Sequence, residues 1–119
     1  MQLTNAALER KAKDLTILSV KELSSFTDYF IICSGTSDRQ VRAIADCIET
    51  GMKKLGVLPL GIEGKQAGGW ILIDYSDVVV HIFHQPVREF YDIERLWSNA
   101  PIMKVEESVQ SITSLNDDI

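Results

Sequence analysis

Gly69-Trp-Ile-Leu-Ile-Asp-Tyr-Ser-Asp-Val-Val-Val-His-Ile-Phe-His84 is the stretch whose reading decides the fold. Two apolar runs, Trp70–Ile73 and Val78–Phe83, flank the turn-favouring Asp74-Tyr-Ser-Asp77. The runs are rich in β-branched and aromatic residues and too short for two helices, so they predict a pair of antiparallel strands. Both faces of each run are apolar, which places the hairpin inside a sheet covered on at least one face. Acidic residues and a tyrosine crowd the turn, an odd mixture for a core element.

Working outward, Tyr29–Cys33 is five apolar residues bounded by Asp28 and by Ser34-Gly-Thr-Ser37, the length and boundaries of a buried strand. Leu15–Val20 predicts a shorter strand, joined to it by the polar connector Lys21 to Asp28. After the Ser34–Ser37 turn, Val41, Ile44, Ala45, Ile48, Met52 and Leu55 mark one stripe of an amphipathic helix. Ser37 and Gln40 fit a capping box at its start, and Gly56 supplies a stop. Val57–Ile62 reads as a third strand whose Pro59 suits an edge. At the chain start, Thr4 to about Lys13 predicts a helix capped by Thr4 or Asn5, with a small apolar set suited to an outer element. Pro86 suits a first helical turn. Val87, Phe90, Tyr91, Ile93, Leu96 and Trp97 then spread apolar surface over more than half of one helix, with Arg88 and Asp92 as an i, i+4 pair.

The expected order is α-β-β-α-β-β-β-α: an α/β (α+β) domain with a mixed sheet of about five strands and packed helices. The unit around residues 29–62 predicts a parallel crossover. The domain is expected over residues 1–99, followed by a polar, acidic, mobile tail over 100–119.

The chain has 119 residues, enough for one domain that buries roughly two-thirds of its unfolded surface. No apolar run is long enough to span a bilayer, and the first residues lack the pattern of a signal or transit peptide. Cys33 and Cys47 are the two cysteines, one in an apolar run and one in a helical pattern, where a free thiol behaves as a small hydrophobe. Together these features predict a reduced, cytoplasmic protein without a membrane partner. Of the net charge of −5, a share of −3 lies beyond Ala100, where Lys104 faces Glu106, Glu107, Asp117 and Asp118. Nothing resembles the basic footprint of a direct nucleic-acid binder. Mild acidity suits a basic protein partner, and equally suits solubility alone.

Several groups invite a chemical reading. Ser34–Asp38 leads from a strand into a helix N-terminus and could cradle a phosphate, or its hydroxyls could simply cap the helix. A Walker-type loop is absent, since Gly64-Lys65 is followed by Gln66 without the preceding glycine spacing. Asp74 and Asp77 could serve as acid and base or hold a metal, although carboxylates bracketing a turn more often brace it. His81 and His84 lie three apart and therefore point to opposite faces of a strand. Pairing Cys33 with His81 needs proximity, but an apolar run makes an inert thiol. Trp70, beside Gly68-Gly69 at a strand start, suits a core position or an exposed anchor for a protein partner.

Taken together, Thr27-Asp-Tyr-Phe-Ile-Ile-Cys-Ser-Gly-Thr-Ser37, Gly69-Trp70 with Asp74, Asp77-Val-Val-Val-His81, and Arg88-Glu-Phe-Tyr91 through Leu96-Trp97 resemble the Iojap-related ribosomal silencing factors. The resemblance runs from about Leu3 to Ser98. It implies a nucleotidyltransferase-like core without the active site, and a non-enzymatic translational repressor without cofactor, metal or catalytic residues. The implied partner is the large ribosomal subunit, through its protein at the L-fourteen position. Occupancy there would keep the small subunit from joining when nutrients are scarce or growth stops. By motif position the resemblance assigns partner contact to Trp70, Asp74, Tyr75, Asp77 and His81. Strand alternation adds Leu72 to the face of Trp70 and Asp74. The rival readings are a small magnesium-dependent nucleotidyltransferase using Ser34–Asp38 with Asp74 and Asp77, and an RNA-contacting assembly factor using Arg39, Arg42, Lys53 and Lys54. Direct sequence-specific nucleic-acid binding is not expected. The broad apolar last helix permits a homodimer of the free protein.

Overall fold

A computed structural model describes residues 2–105 of the chain. The elements are α1 (Gln2–Glu9), β1 (Lys13–Ser19), β2 (Tyr29–Gly35), α2 (Asp38–Lys54), β3 (Gly61–Glu63), β4 (Trp70–Asp74), β5 (Val78–His84), α3 (Gln85–Tyr91), α4 (Ile93–Leu96) and β6 (Ile102–Val105). They form one mixed sheet of six strands in the order β3-β4-β5-β2-β1-β6. The α+β class expected from the sequence is the one observed.

The β4–β5 hairpin forms as expected, with Trp70 opposite Phe83, Leu72 opposite His81 and Asp74 opposite Val79. Its parallel neighbour is β2, in unbroken register from Tyr29 against Val78 to Gly35 against His84. The parallel crossover expected around residues 29–62 spans two intervening strands. β2 and β3 do run parallel, but β5 and β4 lie between them in the sheet, and β3 pairs antiparallel with β4 at the edge. The apolar interior of β5 fits the sheet centre, and the three-residue β3 fits only an edge.

α1 and α2 cover one face. Leu3, Ala7, Val41, Ile44, Ala45 and Ile48 pack there against Leu15, Ile31, Ile71, Ile73, Val80 and Ile82. α1 is therefore a core helix and not an outer element, because its small residues let it lie close to α2. It ends at Glu9, so Arg10, Lys11 and Lys13 lie beyond its last turn, and Thr4 is buried inside it. α2 follows the predicted stripe. Ser37 Oγ accepts from Gln40 N at 3.1 Å, a cap that contributes about 1 kcal/mol. Gly56 takes φ +81° at the stop, a left-handed conformation suited to glycine.

The predicted last helix is broken. Asp92 adopts φ 46° and ψ 51°, dividing it into α3 and α4. Arg88 does not pair with Asp92. Its Nε meets Glu94 Oε1 at 2.8 Å, and its terminal nitrogens donate to Ser34 Oγ, Asp14 O and Thr16 Oγ1. The break lets α4 fold back and place Trp97 and Ile93 over the second, smaller core of Leu18, Val20, Ile32 and Phe83. The expected tail boundary also moves. Ile102–Val105 forms an antiparallel edge strand against Leu15–Leu18, while residues 106–119 lie outside those described. Among the described residues no helix is long and apolar enough to cross a membrane.

Candidate functional site

Strand alternation divides β4 between two environments. Ile71 and Ile73 are fully buried under α2, while Trp70, Leu72 and Asp74 face the other way and stay half-exposed. On that second face, β5 contributes Val79, His81 and Phe83, and β2 contributes Phe30 and Ile32. α3 and α4 cover only part of it. The Trp70, Leu72, Asp74 and His81 singled out in the sequence thus come together on one sheet face.

An aromatic row fixes their positions. Trp70 stacks on Phe83 with ring centres 4.9 Å apart and meets Tyr91 at 5.1 Å. Its Nε1 donates to His81 Nδ1 at 3.1 Å. Phe30 stands edge-on to both His81, at 5.0 Å, and Trp97, at 5.1 Å. Burial pushes the His81 imidazole down to about 4, so the ring is neutral at physiological pH. With Nδ1 accepting from Trp70, the proton resides on Nε2, which is buried without a partner among the described residues.

The loop before Trp70 is pinned to α2. Arg42 donates to the Lys65 and Gln66 carbonyls, and Lys65 Nζ bridges Asp46 at 2.9 Å and Glu49 at 2.8 Å. Gly64 has φ +85°, and a Cβ there would collide with the carbonyl oxygen of Trp70. Only glycine lets this loop pass so close to the strand.

Tyr75 departs from the expected cluster. It packs against the core on the α1–α2 side with its hydroxyl buried, and burial followed by the Glu49 charge raises its pKa. The alternation that aligns Trp70, Leu72 and Asp74 carries position 75 to the opposite side. Asp77 stays exposed at the turn, and its carbonyl accepts from the amides of Asp28 and Tyr29, at 2.9 and 3.0 Å. Asp74 Oδ1 accepts from Ser76 N at 2.8 Å, bracing the turn.

The chemical alternatives meet specific geometry. Thr36 N and Oγ1 both donate to Gln40 Oε1, and Asp38 places a carboxylate on the first turn of α2. The amides and charge there are arranged for capping and oppose a bound phosphate. Cys33 and His81 project from opposite faces, since Cys33 pairs with Ile82, and burial pushes the thiol up to about 12. His84 reaches Asp38 at 3.4 Å, away from His81. Among the described residues no three His, Cys, Asp or Glu side chains group as a metal site.

The β1–β2 connector holds residues that the sequence reading passed over. Leu23–Thr27 forms one wall of an open groove of about 590 Å³, completed by Phe30, Leu72, Val79, His81 and Trp97 with Glu63 and Asp74. Phe26 is 90% exposed beside it. A lone phenylalanine in a polar connector carries no periodicity, so only its exposure at this position identifies it.

Comparison with known proteins agrees with this architecture. The family model described as "Ribosomal silencing factor during starvation" matches residues 1–118, extending past the Ser98 limit of the sequence resemblance. A ribosomal silencing factor from Halalkalibacterium halodurans is 39% identical over 102 residues, covering 86% of this chain and 87% of that protein. A mouse protein named "Mitochondrial assembly of ribosomal large subunit protein 1" is 33% identical over 93 residues, covering 76% of this chain and 41% of that protein. A crystal structure from Chromobacterium violaceum superposes with a TM-score of 0.80 at 39% identity, covering 82% of this chain and 81% of that one. With its fold and nearly its whole length matched, the chain belongs to the ribosomal silencing factor family.

Proposed function

We propose that this chain is a non-enzymatic translational repressor. It binds the large ribosomal subunit through the protein at the L-fourteen position and sterically keeps the small subunit from joining, under starvation or in stationary phase. The observation that carries this reading is the incompletely covered sheet face on which Trp70, Leu72, Asp74 and His81 align beside an aromatic row. Half-exposed aromatic side chains held by stacking and a hydrogen bond are preorganised for a protein contact, so little side-chain entropy is lost on docking. The name of the mouse relative supports the choice of the large subunit. Asp77, at the turn, fits the rim of such a surface. Tyr75, packed toward α2, acts through the shape of the turn and makes no direct contact. Repression requires no bond to be made or broken, only occupancy of a surface that the other subunit needs, and the cytoplasm is where this protein would meet it.

Gradient co-sedimentation with separated subunits tests the proposal. The protein should travel with free large subunits and reduce the joined fraction when small subunits are added. Trp70→Ala should weaken binding at least tenfold with the far-ultraviolet dichroism retained. Unchanged subunit joining in the presence of saturating protein would overturn the reading.

A further inference from the structure

The groove beside Phe26 has an unusual pairing of lining and charge. Its floor is apolar, with Leu72, Val79 and Phe30 from adjacent strands lining it beside the 23–27 loop. Among the described residues, its only charged lining groups are Glu63 and Asp74. Glu63 sits opposite Leu72, and Asp74 opposite Gly61, so the two carboxylates lie diagonally across the β3–β4 pair. Neither takes part in an ion pair among the described residues, and Asp74 commits only Oδ1 to its turn.

A partner that seals this groove removes both carboxylates from water, a heavy cost unless it supplies cationic donors. A phosphate backbone would meet like charge. A purely aliphatic plug would satisfy the floor and leave the carboxylates unpaired. A long cationic side chain satisfies both, with its methylene stem on Leu72 and Val79 and its head at the carboxylates. Arginine fits better than lysine, because its planar fork pairs bidentately with carboxylates and stacks on aromatic rings such as Phe26 and Trp97.

We propose that this groove is a docking cleft for an arginine-bearing segment of a basic protein partner, with Phe26 closing over the arginine stem and Glu63 and Asp74 receiving its guanidinium. The proposal rests on the large-subunit reading above and names the chemistry by which that partner is recognised. The exposed Phe26 then has a role as a flap that becomes buried on docking.

Binding to purified large subunits is measured across a range of salt for wild type, Phe26→Ser, and the Glu63→Gln/Asp74→Asn double variant. Asn at 74 still accepts from Ser76 N, so the turn survives, and unchanged urea midpoints verify the fold. Phe26→Ser should weaken binding about tenfold. The double variant should lose at least tenfold at low salt and show a flatter salt dependence. Wild-type affinity and salt slope in both variants would overturn the cleft and leave the large-subunit reading intact. Tighter binding by the double variant would signal a phosphate contact and also overturn it. Failure of wild type to bind large subunits would sink the parent reading and the cleft with it.

Discussion

The two faces of the sheet come from the same strands and do opposite things. On the α1–α2 side, side chains alternate into a layer closed by helices, and each strand from β1 to β5 contributes at least one apolar residue to that core. On the other side, two short helices close only the end around Phe83 and Ile32, leaving Leu72, Asp74 and the groove uncovered. The closed face is where burial supplies stability. The open face retains polar and aromatic groups that stay in contact with solvent. Exposed Phe26 adds little folding energy at its position, which on the proposed reading separates recognition from folding.

That division can be broken in graded ways. Ile82→Ala, on the closed face and fully buried, should cost about 2–5 kcal/mol in equilibrium unfolding through the cavity it leaves. Large-subunit affinity of the folded fraction should be unaffected. If binding fell before stability did, the two faces would not be separable.

Next in size is the acid response of His81. Its folded pKa of about 4 lies below the ordinary 6.5, so the unfolded chain takes up a proton that the folded chain refuses. His81 therefore makes its full contribution above pH 6.5, and loses it as pH falls toward 4, by about 3 kcal/mol. Urea midpoints of wild type and His81→Gln across this range should diverge in slope, with the variant flatter. Parallel profiles would mean that the ring is hydrated and outside the packed aromatic row.

The smallest effect is the sharpest contrast. Phe26→Ser should move the unfolding midpoint by less than about 0.5 kcal/mol, since the ring is 90% exposed. A larger loss would show that the ring holds the 23–27 loop in the free protein.

Much of this molecule was legible from patterning. The 3.6-residue stripe of α2, its Ser37 cap and Gly56 stop, and the β4–β5 hairpin all appear as read, because each is dictated by local periodicity and turn chemistry. Alternation also places Trp70, Leu72 and Asp74 on one face correctly. The same rule sends Tyr75 elsewhere, a consequence that motif position alone obscured. The C-terminal helix failed because a continuous apolar pattern does not reveal a single left-handed residue. Asp92 adopts that conformation between two segments that Arg88 and Glu94 tie together. β6 was missed because a four-residue edge strand has no signature of its own beside a polar tail.

By itself the sequence determined the α2 helix with its cap and apolar stripe, the β4–β5 hairpin with its alternating faces, and that no Walker loop is present. Those properties depend on neighbours a few residues apart. Tertiary structure alone decided that β2 lies beside β5, that Arg88 reaches Asp14 and Ser34, and that a lone phenylalanine of the β1–β2 connector lines one groove with two carboxylates of β3 and β4. Each of these joins residues far apart in the chain. They meet only because burying two apolar faces of one sheet leaves the strands a single shared order.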